Sequence, residues 1–317
     1  MSTPVLFLDD ASRYIGEIDR EQAKQIAMTL LATLKRIRTV NKKFALNTAR
    51  PISQYQIADN WTLHLILGGP AFREEWDFIR TLNDRSPLAV GLDEGLLQKV
   101  GGTELYTLPS RVPSSALALA NLLDSATISF DAHADWSKAW VEVIFLEIED
   151  DGSISETEAK VRNASQVAHV EDHIEWLKIL GFSPAPTALQ VWNQRADIFP
   201  NIRFLPRVQK DLADLEASGV AFIQARLALE ALTKDISTWK QGNSKPNFSR
   251  KTTPEHEQRQ KLCWARDDVT GRNELFDWHS RFTGGLEGRI HFRLDSVNQS
   301  IIIAYVGGKL MREISSY

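Results

Sequence analysis

Segment 288–294, Gly-Arg-Ile-His-Phe-Arg-Leu, alternates ionisable and apolar residues without a break. A period of two puts Arg289, His291 and Arg293 on one face of a strand and Ile290, Phe292 and Leu294 on the other. A helix would scatter both sets around its circumference, so this part of the chain must be a half-buried strand. Segment 278–282, Trp-His-Ser-Arg-Phe, repeats the pattern, with His279 and Arg281 opposed to Trp278 and Phe282. Gly284 and Gly285 lie between the two runs and mark a turn. An antiparallel hairpin with Arg281 facing Arg289 and His279 facing His291 gathers five ionisable side chains on one surface. Like charges across a ladder repel, so the expected complement of that surface is anionic.

The rest of the chain reads as a mixture, and the expected fold class is α+β. Helical periods run over 19–37, 72–82, 114–123 and 170–180, and strand-like runs over 61–67, 126–130, 140–148 and 155–161. A glycine and two prolines at 181–186 interrupt both periodicities and read as a linker. The chain of 317 residues is long for one core, so two regions are expected. They are a mixed α+β region, 1–183, regulatory or partner-binding, and a region of helices packed on an antiparallel sheet, 184–317. In the second, helices are expected over 207–216 and 220–239, a long loop over 241–258, and strands over 275–282, 288–294 and 300–306. No internal repeat is visible. The nine tryptophans fall mostly within apolar periods and read as core residues.

Composition narrows the classes. Hydrophobic residues make up 43% and charged residues 25%, ordinary values for a globular chain. No apolar run is long enough to span a bilayer, and the first ten residues lack a basic signal-peptide region, so a cytoplasmic protein with no membrane partner is expected. The net charge of −4 divides unevenly: residues 241–317 carry +3 and residues 1–240 carry −7. A basic end on an acidic body is compatible with a nucleic-acid site at that end. The single cysteine, Cys263, excludes an internal disulfide and, on its count, a cysteine-based zinc site. No Gly-x-Ser-x-Gly occurs, and Gly68-Gly69 and Gly307-Gly308 lack the spacing of a phosphate loop.

A second motif competes. Asp131-Ala132-His133-Ala134-Asp135 resembles the metal-binding segment of the arginase and agmatinase ureohydrolases. That resemblance also requires an upstream Gly-Gly-Asp-His and a downstream Asp-x-Asp, and neither is present. His169 and His173, four apart in a helical period, are the remaining residues that could complete a single metal site with it, as in a metal hydrolase. The bland reading, a loop at a strand end with surface or capping histidines, outweighs it.

The C-terminal order of elements carries a resemblance of its own. Two helices, then Trp278-His279, Arg289-Ile290-His291-Phe292 and Ile301-Ile302-Ile303-Ala304-Tyr305-Val306-Gly307-Gly308-Lys309, resemble the RelE/HigB-like superfamily of bacterial toxins over the last 60 to 100 residues. The resemblance implies helices on an antiparallel sheet whose basic face cuts RNA, usually ribosome-bound messenger, with no metal or other cofactor. His279, His291, Arg289 and Tyr305 are then the candidate catalytic residues, and Arg281, Arg293 and Lys309 the candidate nucleic-acid contacts. The residue types suit that chemistry: histidines exchange protons near neutrality, and arginines hold phosphate bidentately. The expected function is therefore an RNA-directed effector of toxin or phage-defence type, a metal-independent endoribonuclease, with a possible cognate protein partner or inhibitor. The alternative is a non-enzymatic module in which the same face captures nucleic acid or an acidic protein.

Overall fold

Four apolar residues ending in two acids, Val5-Leu6-Phe7-Leu8-Asp9-Asp10, open a buried strand, β1 (Val5–Leu8). The computed structural model describes residues 4–83, 105–107, 112–148, 154–180, 186–216, 219–283 and 286–314. It has the expected mixed α+β character. The chain divides into two units, Met1–Ala185 and Pro186–Tyr317.

In the first unit β1 leads into α1 (Arg20–Val40). Asp19 and Gln22 close a reciprocal capping box at its start, and Ala23, Ala27, Leu30, Leu31, Leu34 and Ile37 recur at three and four along its buried stripe. There follow β2 (Ala45–Thr48), β3 (Gln56–Ala58), β4 (Trp61–Thr62), α2 (Leu63–Leu67), α3 (Arg73–Leu82), β5 (Leu105–Thr107), α4 (Ser115–Leu122) and β6 (Ala126–Ile128). The unit ends with β7 (Trp140–Ile148), β8 (Ile154–Ala164), α5 (Val167–Glu171) and α6 (Ile174–Ile179). One six-stranded sheet runs β2-β1-β6-β8-β7-β5. The pairs β2–β1, β1–β6 and β6–β8 are parallel, and β7 adds an antiparallel hairpin with β8.

Two readings of this unit need correcting. Only Trp61–Thr62 of segment 61–67 is strand, because Thr62 accepts from the Leu65 amide at 3.2 Å and caps a helical turn that buries Leu63, Ile66 and Leu67. The helix expected at 170–180 is broken in two at Asp172 and His173. The His173 ring packs edge-on to Trp140 and Trp176, at 5.0 and 6.5 Å between centroids, with Nε2 2.7 Å from the Ala139 carbonyl oxygen. His169 and His173 are therefore not neighbours on one helix face.

The second unit comprises α7 (Ala188–Asn193), α8 (Arg195–Ile198), β9 (Ile202–Phe204), α9 (Val208–Glu216), α10 (Val220–Ser237), β10 (Thr252–Pro254) and α11 (Glu257–Gln260). Its C-terminal part is β11 (Trp264–Arg266), β12 (Asn273–Leu275), β13 (Trp278–Phe282), β14 (Gly288–Asp295) and β15 (Ser300–Gly308). A five-stranded sheet runs β10-β13-β14-β15-β9, antiparallel except for the last pair, and β11–β12 form a separate ribbon. The long loop of 241–258 thus includes an edge strand and the start of a helix. The strand read over 275–282 is two, because Phe276 turns into the interior between them and is fully buried. Of the tryptophans, Trp136 and Trp239 are core residues, whereas Trp140 and Trp264 stay 42% and 41% exposed.

In the first unit Asp9 connects three segments. Its carboxylate accepts from the Ala11 amide at 2.9 Å and from the Ser114 hydroxyl, which in turn caps α4 by accepting from the Leu117 amide at 3.0 Å. Burial raises the Asp9 pKa to about 7, against the lowering effect of those bonds. The unfolded value is 3.8, so the folded state binds the extra proton. Asp9 therefore stabilises the fold fully below about pH 4, and this contribution is lost as pH rises to about 7, by at most about 4 kcal/mol. Asp9→Asn should gain stability relative to wild type between pH 5 and pH 8, measured as the gap between their melting temperatures. A gap that does not change with pH would refute the assignment.

Candidate functional site

The β13–β14 ladder sets His279 opposite His291 and Arg281 opposite Arg289, the register that alternation requires. The two imidazole centroids are 5.5 Å apart, and the ring of Tyr305 on β15 lies 6.0 Å from that of His291. Tyr305 reaches this face by a break in register. His291 faces Tyr305 while Phe292 faces Ile303, so Ala304 is an extra residue on β15. Ile301, Ile303 and Val306 consequently join the core beneath α9 and α10, while Ile302, Ala304 and Tyr305 join a second cluster. Asp211 on α9 accepts from the Val306 amide at 3.1 Å just past the bulge.

That second cluster changes the character of the site. Cys263, Ala265, Phe276, Leu310 and Ile314 pack with Ile302, Ala304 and Tyr305, so the ionisable face is covered by the protein's own chain. His279 and His291 are 4% and 0% exposed. Burial first, then His291, Arg289, Arg281 and Arg259, push the His279 pKa down to about 2. Burial, with Arg289 and Arg259, pushes His291 down to about 3 against a raising interaction with the Phe276 backbone. Burial favours the neutral form of both rings and works against the expectation that they exchange protons near neutrality.

The other candidate residues separate. Arg289 is buried and donates to the Gly288 carbonyl at 3.0 Å. Tyr305 is buried beneath the Arg207 guanidinium, 5.2 Å from its ring centroid. Arg293 donates to Asp267 at 3.0 Å, and Arg203 binds the same fully buried carboxylate. Arg293 thus ties β14 to the turn after β11. Arg281, Arg293 and Lys309 keep partial exposure. On the covering ribbon, Trp264 and Arg266 point outward from β11 while Ala265 points into the cluster. Neither Trp264 nor Arg266 was singled out in the sequence as a binding residue, although a two-residue aromatic–cation alternation was available to find them.

Among the described residues, three metal-capable side chains converge at one place only: Glu255, Cys263 and His291, with one donor atom of each within 4.8 Å of the others. The segment Asp131–Asp135 does not build such a group. His133 is exposed, with Nδ1 3.6 Å from Asp135 Oδ2, and Asp131 meets Ser165, which in turn contacts His169 Nδ1 at 3.2 Å. This segment does follow β6, beside β1, where the order of parallel strands reverses and α/β sheets place their ligands. Asp9, Ser12, Ser129 and Asp135 are all buried there. The signal for Asp9 was present in the apolar run that ends at it, which is how a strand buried on both faces reads.

Asp267 gathers enough bonds to reverse the effect of its own burial. Burial raises its pKa, but Arg293, the Val269 amide, Arg203 and the Thr270 amide together bring it down to about 2. Its stabilisation is present above about pH 4 and lost as pH falls toward 2. Asp267→Asn should destabilise the protein by on the order of 2–3 kcal/mol at pH 7 and by much less at pH 3, measured by denaturant unfolding. An equal loss at both pH values would show that the carboxylate charge is not what holds the turn. No protein-family model, curated protein or solved structure gives a significant match to this chain.

Proposed function

We propose that this chain is an RNA-directed effector of toxin or defence type whose second unit captures RNA without cutting it. The observation that carries this reading is the outward face of β11, where Trp264, 41% exposed, and Arg266 stand two residues apart on a ribbon laid over a cationic interior. An exposed indole stacks on any base, and a neighbouring guanidinium holds the adjoining phosphate. Exposed Lys261 and Arg272 add charge on the same ribbon and its approach. Beneath it Arg289, Arg281 and Arg259 all oppose protonation of His279. The resemblance to RelE/HigB-like toxins supports an RNA target.

Non-enzymatic capture is favoured over ribonuclease activity by one finding. The two histidines that would move protons are buried and held neutral down to about pH 3 or below, far from the pKa near 7 that suits general acid–base work.

Filter binding of total RNA across a salt series tests this reading. Trp264→Ala should weaken binding by about 1–3 kcal/mol with little change in salt slope, and Arg266→Ala should flatten the slope by about one. Wild type that fails to retain RNA at low salt would sink the proposal. Wild type that degrades total RNA, with the activity lost in Arg281→Ala, would reinstate the ribonuclease.

A further inference from the structure

We propose that Glu255, Cys263 and His291 form a zinc site in the interior of the second unit. The three ligands come from separate segments: Glu255 from the turn between β10 and α11, Cys263 from the residues after α11, and His291 from the middle of β14. Cys263 Sγ lies 3.7 Å from His291 Nδ1, and donor atoms of all three residues lie within 4.8 Å of one another. Zinc bound at about 2.3 Å from sulfur and about 2.0 Å from nitrogen, with a tetrahedral angle between them, sets the two atoms roughly 3.5 Å apart. The thiol and the imidazole are therefore already at the spacing that the metal would impose.

Each segment is fixed by its own backbone bonds. The Glu255 amide donates to the Asp277 carbonyl at 2.7 Å, and the Cys263 amide to the Gln260 carbonyl at 2.9 Å. His291 is held in the ladder between β13 and β15. A second observation points to a missing ligand. His279 is 4% exposed, its Nδ1 has no hydrogen-bond partner, and that atom lies 3.8 Å from Glu255 Oε2. Arg259 and the His256 amide hold Glu255 Oε1, at 3.4 and 3.2 Å, which leaves Oε2 and the unpaired His279 nitrogen turned toward each other. With metal bound, His279 orients Glu255 as a positioning residue, the usual part of a ligand's outer partner.

One sulfur, one imidazole nitrogen and one carboxylate oxygen suit zinc rather than magnesium or calcium, which take oxygen alone. Three protein ligands leave a fourth position for water or an anion. The count of one cysteine argued against a cysteine-based zinc site, but a mixed donor set needs only one. This inference rests on the interior of the unit and not on RNA capture.

The test uses full-length protein purified from zinc-supplemented culture, then stripped and titrated with cobalt. About one zinc per chain is expected by elemental analysis. Cobalt should give the ligand-to-metal charge-transfer band of a thiolate, absent in Cys263→Ala and weakened in Glu255→Gln. Wild type that is folded by circular dichroism, carries no zinc and gives no such band overturns the proposal. So does a folded Cys263→Ala that keeps stoichiometric zinc, which would place the metal elsewhere. If Cys263→Ala does not fold, the wild-type cobalt spectrum decides alone.

Discussion

A strand that alternates ionisable and apolar residues can be buried on its apolar side by helices, but its other side must then be hydrated or covered. In the second unit it is covered, and most of the unit's C-terminal half follows from that. Arg289 and His291 face inward beside His279 and meet a cap made from residues 255–277 and 310–314. The cap is held down by apolar contacts through Cys263, Phe276, Leu310 and Ile314, and by the buried Asp267 that joins Arg293 to Arg203. Removing the acid would leave two guanidinium groups without their shared charge, which is why a single carboxylate matters more here than the surface ion pairs elsewhere.

The strand pairing was legible in the sequence because its signal is local: a period of two, repeated, with glycines between. Register followed from the same alternation. Burial of the polar face was not legible, because the cap's apolar residues fall in one short run, Leu262-Cys263-Trp264-Ala265, and then at Phe276 beyond a polar stretch, with no long period. Its strands are three residues each, below the length at which alternation can be counted. Similar brevity hid β2 and β9, and the two-helix break at His173 depended on aromatic neighbours distant in sequence.

The first unit places its polar residues where a parallel sheet offers a crevice, yet the bonds described there are mainly internal. Asp9 links β1 to the start of α4, and Asn163 on β8 donates to the carbonyls of Trp136 and Lys138 at 2.8 and 2.7 Å, pinning the loop that contains the Asp131–Asp135 segment. Such a network fixes loop geometry whether or not a ligand ever arrives. The two units therefore answer the same problem, buried polarity, by different means: hydrogen bonds to backbone in the first, and a cap with shared charge in the second.

The extra residue on β15 acts as a frame marker for everything that follows it. Up to Ile303 the odd positions face the helices; after Ala304 the even position Val306 does. Deleting Ala304 would restore unbroken alternation and keep the phenol against the imidazoles and the valine against the helices, whereas a strand that kept Ala304 in regular pairing would turn the phenol toward the helices and set the valine against the imidazoles. Residues 305–308 thus take their facing from how the strand absorbs one extra residue: bulged out, Ala304 leaves this interior as it is, and paired in line it would exchange the two faces.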